Sequence, residues 1–355
     1  MMRQDPDSPS FAPTNGHSPK NILLIRWKSI GDVVFTLPAL RCLRSNFPNS
    51  HITYLTSPEF TALVKSFSVA DEIVTVDRAK LRRIHKGGLM ELIKLWRNLG
   101  RRRYDIVVDL QGYGETAWLS WLTRAPQRWA VVHRPSRAWA YTHAIPRDEL
   151  AHPVAAQLQM LSECGLDTSH PENNFELPPD RQLTAQKLFL EFGLNPHLPT
   201  VFIQPFTSGP QKDWPLDKWL ALARRLRSLE IQTLFGGGPA DRVRLGPALL
   251  EGFPVAAGTE LLTSCGLATR CALVIGADTG LLHMATALGC RVVLLKHLKA
   301  KECPYGHPDW VITPPRAGVL VAEIDPEQVL AEVLRIIQRS QSVVPGPRSK
   351  VTAAV

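Results

Sequence analysis

The sequence predicts an α/β protein of two Rossmann-like domains, each a parallel sheet covered by helices, facing a central cleft. Three observations predict it. Short runs rich in Val, Ile and Leu alternate with stretches of helical period, the pattern of strands buried on both faces. The alternation pauses at DTSHPENNFELPPD (167–180), a stretch of turn formers that reads as a linker, and then begins again. The 355 residues, 45% of them hydrophobic, are too many for one small domain and enough for two cores.

Residues 1–19 are rich in Pro and Ser and read as a disordered tail. The first domain, 20–170, has strand candidates NILLIRW (21–27), HITYLT (51–56), DEIVTV (71–76), YDIVVDL (104–110) and RWAVV (128–132). THAI and a Pro-containing turn follow, then a helix from His152 to Cys164. Within 81–103, Leu89, Leu92, Ile93, Trp96 and Leu99 share one helical face and the charges fall outside it. The second domain, 171–340, has strand candidates TVFIQPF (200–206), IQTLFG (231–236), FPVAA (253–257), CALVIGA (271–277) and RVVLL (291–295). Helical period covers 216–229, and a closing helix over 325–339 starts at Asp325, a capping residue. Residues 341–355 read as a flexible tail.

Charge is unevenly spread. Lys and Arg number 41 against 32 acids, a net +9, yet the window Arg78–Arg103 alone holds ten cations and one acid, Glu91. Such a patch favours an anionic partner: a phosphorylated substrate, an acidic lipid surface or nucleic acid. None of the usual nucleic-acid signatures is present, so nucleic acid is not an expected partner. The six cysteines (42, 164, 265, 271, 290 and 303) form no CxxC and no ligand-like cluster, which implies a reducing compartment and no structural metal. The sequence shows neither a signal-peptide pattern nor an apolar run near the ~18–20 residues of a membrane span. The expectation is a soluble cytoplasmic protein, with the inner face of the cytoplasmic membrane as a further contact surface.

In open parallel sheets, ligands bind beyond the carboxyl ends of the strands. Four motifs fall there. In RWKSIGDVVFTLPALRCL (26–43), Gly31 permits a tight turn and Asp32 either caps the next helix or serves as a general base. In QPFTSGPQKDWP (204–215), Thr207, Ser208 and Lys212 offer hydroxyls, amides and a cation that suit a phosphate; the plain alternative is a solvated loop. In FGGGPADR (235–242), three glycines let a ligand approach the backbone, and Asp241 either takes a ribose hydroxyl or complements a helix start. In IGADTGLLHMATALG (275–289), Leu281, Met284, Ala285 and Leu288 form the buried stripe, and His283 lies off it. Asp278, Thr279, Gly280 and His283 then gather at a helix start whose free N–H groups and dipole favour a diphosphate.

These segments, with YDIVVDLQG and KDWP, in this order and spacing, resemble the heptosyltransferases of glycosyltransferase family 9 over roughly residues 21–340. The resemblance implies a GT-B fold and inverting transfer of a heptose from ADP-heptose to a lipopolysaccharide inner-core acceptor, an anionic glycolipid. It implies a nucleotide-sugar-binding C-terminal domain and an acceptor-binding N-terminal domain. It gives Asp32 the role of catalytic base. It assigns Thr207, Ser208, Lys212, Asp241, Asp278, Thr279, Gly280 and His283 to the donor. Lys212 and the amides near Thr279 would meet the charge of departing ADP, so that neither a metal nor a cofactor is expected. Arg26, Lys28, Arg124, Arg128, Arg134 and Arg137 are candidates for the acceptor's carboxylates or phosphates. One departure stands out: where members commonly carry an F-G-P-T-like turn, RVVLL runs into KHLKAKECPYG (296–306), a cationic loop expected near the donor. It keeps open a family member that uses another nucleotide sugar or acceptor. A non-catalytic nucleotide-sugar binder on the same scaffold is the other alternative.

Overall fold

The computed structural model describes residues 18–77, 88–148, 151–298 and 301–342. The expected tails and the basic stretch 78–87 therefore lie wholly or mostly outside the described residues. The described chain divides into two compact units. The first ends at Pro179 and also takes in Thr286–Gly289 and a segment ending at Pro308; the second begins at Asp180.

The first unit is one parallel sheet of β1 (Asn21–Ile25), β2 (His51–Thr56), β3 (Glu72–Thr75), β4 (Ile106–Asp109), β5 (Gln127–Val132) and β6 (His143–Pro146), in the order β3-β2-β1-β4-β5-β6. The second is a parallel sheet of β7 (Thr200–Gln204), β8 (Gln232–Gly237), β9 (Val255–Ala257), β10 (Leu273–Ala277), β11 (Val292–Leu295) and β12 (Val311–Ile312), in the order β12-β11-β10-β7-β8-β9. Numbered within its own unit, each sheet runs 3-2-1-4-5-6, the Rossmann order. The strand order reverses between β1 and β4 in one unit and between β7 and β10 in the other. Loops leaving those strands at their carboxyl ends meet over the reversal, and all of β4, β7 and β10 is buried beneath them.

The ten expected strands are present, and two short edge strands join them. β6 is THAI read one residue later, and its Pro146 fits an edge where a missing N–H costs no ladder bond. β12 is two residues long, too short to show a period. Helices follow their signals closely. Leu216–Ser228 buries Trp219, Leu220, Leu222, Ala223 and Leu226. The last helix, Pro326–Ser342, starts as expected, with Asp325 accepting from the Glu327 N–H at 3.1 Å. In the helix Gly88–Gly100, Leu99 is buried and Ile93 half-buried as on the predicted face, Leu95 is buried as well, and Trp96 is exposed; the side chains of Leu89 and Leu92 lie outside the described residues.

The turn-rich stretch 167–180 lies along the first unit. Asn46 donates to the Asp167 carbonyl at 2.9 Å, Arg41 to the Asn174 carbonyl at 2.5 Å, and Phe175 is buried against Phe67. Turn composition conceals these contacts, since side chains far away in sequence make them. No helix among the described residues is long and apolar enough to cross a membrane.

Candidate functional site

In the second unit, β10 runs close beside β7. A Cβ on Gly276 would lie 2.3 Å from the Gln204 carbonyl oxygen, so only glycine fits there. The chain then turns at Asp278 and Thr279 into the helix Gly280–Ala287. That helix is buried on every side rather than along one stripe, so His283 is buried at 4% exposure instead of lying off a core-facing face. Its Nε2 stands 3.2 Å from Asp278 Oδ1. Burial alone would raise the Asp278 carboxyl. The His283 hydrogen bond and charge, with Lys212 and Lys296, outweigh burial and hold it below its ordinary range. The Thr279 hydroxyl is buried with no hydrogen-bond partner in the protein, beside the N–H groups of the helix start.

The loop after β7 is built around Asp213, which the sequence reading passed over as part of the KDWP run. Asp213 Oδ1 accepts from the Thr207 N–H at 2.7 Å and from its hydroxyl at 2.8 Å, while Oδ2 accepts from Arg244 at 2.9 Å. Thr207 thus shapes the turn, and Ser208 and Lys212 at its crest are exposed. Trp214 anchors the loop: it is fully buried, and its indole N–H donates to the Ile324 carbonyl at 3.0 Å. Arg244 reaches back to Asp241 at 3.2 Å and lies over the Phe206 ring. Asp241 Oδ2 also accepts from the Gly238 N–H at 2.9 Å, so one of its oxygens holds the glycine turn while Oδ1 is taken by Arg244. Lys296, at the end of β11, is 7% exposed and acts on Asp278 electrostatically. A lysine at a strand's carboxyl end is legible by the same rule that singled out the four motifs.

In the first unit, Asp32 lies in the first turn of the helix Ile30–Val34 after β1. The residue before that helix, Ser29, has φ 66° and ψ 127°. That left-handed conformation costs an L-residue on the order of 1–3 kcal/mol, and such strain gathers at functional turns. Arg26 is buried, forms an ion pair with Asp32 and donates to the Leu110 carbonyl. Arg26 is therefore Asp32's partner within the protein. A pocket opens here, lined by Asp32, His133, Arg147, Asp148 and Gln157 among others. Gln157 contributes a buried side-chain oxygen that accepts no hydrogen bond in the protein. Burial, with the guanidinium groups of Arg147, Arg26 and Arg137, pushes the His133 imidazole down to about 4.

The remaining acceptor candidates separate into two groups. Lys28 and Arg137 converge on Tyr113, at 5.0 and 5.8 Å from its ring, and Tyr113 packs on His133 at 4.7 Å. Arg134, exposed, follows β5 on the same side. Arg124 and Arg128 stand at the opposite, amino-terminal end of β5, and Arg128 donates to the Ala140 carbonyl at 2.8 Å and to the Ala125 carbonyl. Sequence distance hides this, because a residue just before a strand and one just after it are separated by the strand's length. The cationic loop also divides. Lys296 belongs to the second unit, while Glu302 of the first unit pairs with Arg147 at 3.5 Å and Lys301 donates to the Asp148 carbonyl at 3.1 Å.

The family model of glycosyltransferase family 9 (heptosyltransferase) matches residues 92–296, more than half of the chain. The chain is 23% identical over 307 residues to the lipopolysaccharide core heptosyltransferase OpsX of Haemophilus influenzae, covering 83% of this chain and 85% of that protein. Its fold is similar to that of a family 9 glycosyl transferase from Veillonella parvula, with a TM-score of 0.78, 23% identity, and coverage of 90% of this chain and 98% of that one. It is also similar to the Escherichia coli heptosyltransferase WaaC solved with ADP-2-deoxy-2-fluoro heptose, with a TM-score of 0.71, 18% identity, and coverage of 89% and 99%. Two Rossmann-ordered sheets with polar clusters at both reversals, together with this family match, identify the chain as a glycosyltransferase of GT-B fold that belongs to glycosyltransferase family 9, the heptosyltransferase family.

Proposed function

We propose that the protein transfers a heptose from ADP-heptose to a lipopolysaccharide inner-core acceptor, with inversion at the anomeric carbon. The observation that carries this reading is the cluster at the β10 end: a buried Asp278–His283 pair and an unpartnered Thr279 hydroxyl at a helix start, with Lys212 of the β7 loop and Lys296 after β11 acting on Asp278. That set favours a diphosphate. The hydroxyl and amides donate to its oxygens, the lysines offset its charge, and Asp278 fixes the His283 ring. The names of the relatives support heptose transfer in lipopolysaccharide core synthesis, and the ligand of the WaaC structure supports an ADP-linked donor.

In the first unit, Asp32 takes the proton of the acceptor hydroxyl as that oxygen attacks the anomeric carbon. ADP leaves from the opposite face of the sugar. Arg26 holds the Asp32 carboxylate in place, with its other oxygen open to the pocket as a proton acceptor. Lys28, Arg134 and Arg137 are proposed to meet the acceptor's acidic groups. An acceptor anchored in lipid sets the reaction at the inner face of the cytoplasmic membrane. One observation favours a second reading, a different nucleotide sugar: buried Lys296 heads the loop that departs from the family pattern.

Calorimetry of ADP against wild type, Lys212→Ala and His283→Ala tests the donor site. The expected result is binding by wild type and weakening by each substitution of roughly tenfold or more, the loss of a charged hydrogen bond. Binding of UDP in place of ADP would favour the second reading. Binding of neither would contradict both.

A further inference from the structure

The helix Gly114–Leu122 packs inside out by size. It buries Thr116, Ala117, Leu119 and Ser120 and turns Trp118 and Trp121 to solvent, 56% and 45% exposed. Trp139, on the 3-10 helix Pro135–Ala140, is 49% exposed. The three rings meet edge to face, with centroids 4.7 to 6.1 Å apart. They pack on one another instead of entering a core. The patch extends sideways: Trp96, itself exposed, donates its indole N–H to the Leu122 carbonyl at 3.1 Å, which brings the helix Gly88–Gly100 and its exposed Met90 alongside. A lone exposed apolar residue needs no explanation, but contiguous tryptophans on one flank mark an interaction surface.

Charge identifies the partner. From Gly114 to Ala140 the chain carries one acid, Glu115, against Arg124, Arg128, Arg134 and Arg137. Arg128 ties the Ala125 and Ala140 carbonyls together and so braces the two tryptophan-bearing elements. Arg124 and Arg134 are exposed, as are Arg97 and Arg101 beside Trp96. Exposed indole rings, on a stretch whose exposed charges are guanidinium groups, match the headgroup layer of an anionic bilayer. A sugar-binding platform needs carboxylates or amides to read hydroxyls beside the rings; on the helices that carry Trp118, Trp121 and Trp139, Glu115 alone supplies one, and on the Trp96 helix the Asn98 oxygen is taken by Arg102.

We propose that this flank of the first unit, centred on Trp118, Trp121 and Trp139, docks the protein on an anionic phospholipid surface. The inference rests on the reading that the acceptor is lipid-anchored, and it accounts for Arg124, which stands away from the Asp32 end of the sheet. The flank is continuous with the pocket. Tyr113 caps the tryptophan-bearing helix, and Lys28, His133 and Arg137 gather around its ring. A protein seated on this flank holds the Asp32 pocket beside the layer from which the acceptor sugar projects.

Co-sedimentation of the full chain with phosphatidylglycerol–phosphatidylcholine vesicles, and with phosphatidylcholine vesicles alone, tests the proposal. Wild type is expected to bind the anionic vesicles and to bind the neutral ones far less. Replacing Trp118, Trp121 and Trp139 by Ser is expected to weaken anionic-vesicle binding roughly tenfold or more while melting temperature and ADP affinity stay at the wild-type level. Trp118→Ser alone should give a graded loss, and Arg124→Glu with Arg134→Glu should remove the preference for anionic lipid. Vesicle binding unchanged in the triple variant, or absent in wild type, overturns the proposal. So does sedimentation equilibrium showing a wild-type dimer that the triple variant splits, or loss of affinity for a soluble deacylated core oligosaccharide. ADP affinity, read separately, reports on the donor site, so failure there is distinguishable from failure here.

Discussion

Asp32 and Asp278 both follow a buried strand, and each is held by a side chain of its own unit. The Arg26 guanidinium fixes one and His283 fixes the other. The consequences differ. Asp32 keeps a partly exposed carboxylate facing a pocket, as its proposed role of proton acceptor requires, while Asp278 is paired with His283. Asp32→Asn is therefore expected to lower kcat by about 10²–10⁴-fold, the usual contribution of a general base. Calorimetry should show ADP affinity unchanged in that variant. His133 gives a pH signature. Its folded value of about 4 lies below the ordinary 6.5, so between those values the unfolded chain binds a proton that the folded chain refuses. The contribution of His133 to stability is full above pH 6.5 and declines as pH falls toward 4, and His133→Asn should flatten that part of a melting-temperature profile against pH. The positions of Asp32 and Asp278 were legible because a glycine or a hydroxyl next to an acid after an apolar run is a local pattern. The pairings were less legible: Arg26 reads from sequence as an acceptor-site cation, and its burial depends on the Leu110 carbonyl just after β4, far along the chain.

At the scale of elements, the donor cluster depends on close approach of backbones and on one loop. Gly276→Ala would set a methyl against the Gln204 carbonyl, a clash with main chain that cannot rotate away. The expected cost is about 1–3 kcal/mol of stability, as for overpacked cores, read by urea denaturation, with weaker ADP binding as its companion. Asp213→Ala releases the Thr207 amide and hydroxyl and the Arg244 guanidinium together. Calorimetry should show a loss of ADP affinity although Asp213 is not proposed to touch the nucleotide. Strands and long amphipathic helices were legible from period. The short edge strands β6 and β12 and the all-round burial of Gly280–Ala287 were not, because a two-residue strand has no period and a helix sunk in a core loses its stripe. The helix Gly88–Gly100 shows the converse error: Trp96 fits the apolar stripe by spacing, yet its indole joins the outer flank.

At the scale of the molecule, two sheets with one strand order carry two different chemistries. The set proposed to bind a diphosphate stands on the second unit, and a carboxylate in a pocket with Arg26 and Arg147 stands on the first. The fold class followed from alternation and chain length. The turn-rich stretch was expected to divide the halves at 170/171; the first unit runs on through it to Pro179. The central claim is that these two sets together perform glycosyl transfer from ADP-heptose. The most direct test is mass spectrometry of a deacylated inner-core acceptor incubated with ADP-heptose and either wild type or Asp32→Asn. The account predicts an acceptor heavier by one heptose, formed by wild type with inverted anomeric configuration and nearly absent with the variant. An acceptor left unchanged by a wild type that binds ADP, or equal product from Asp32→Asn, would contradict it.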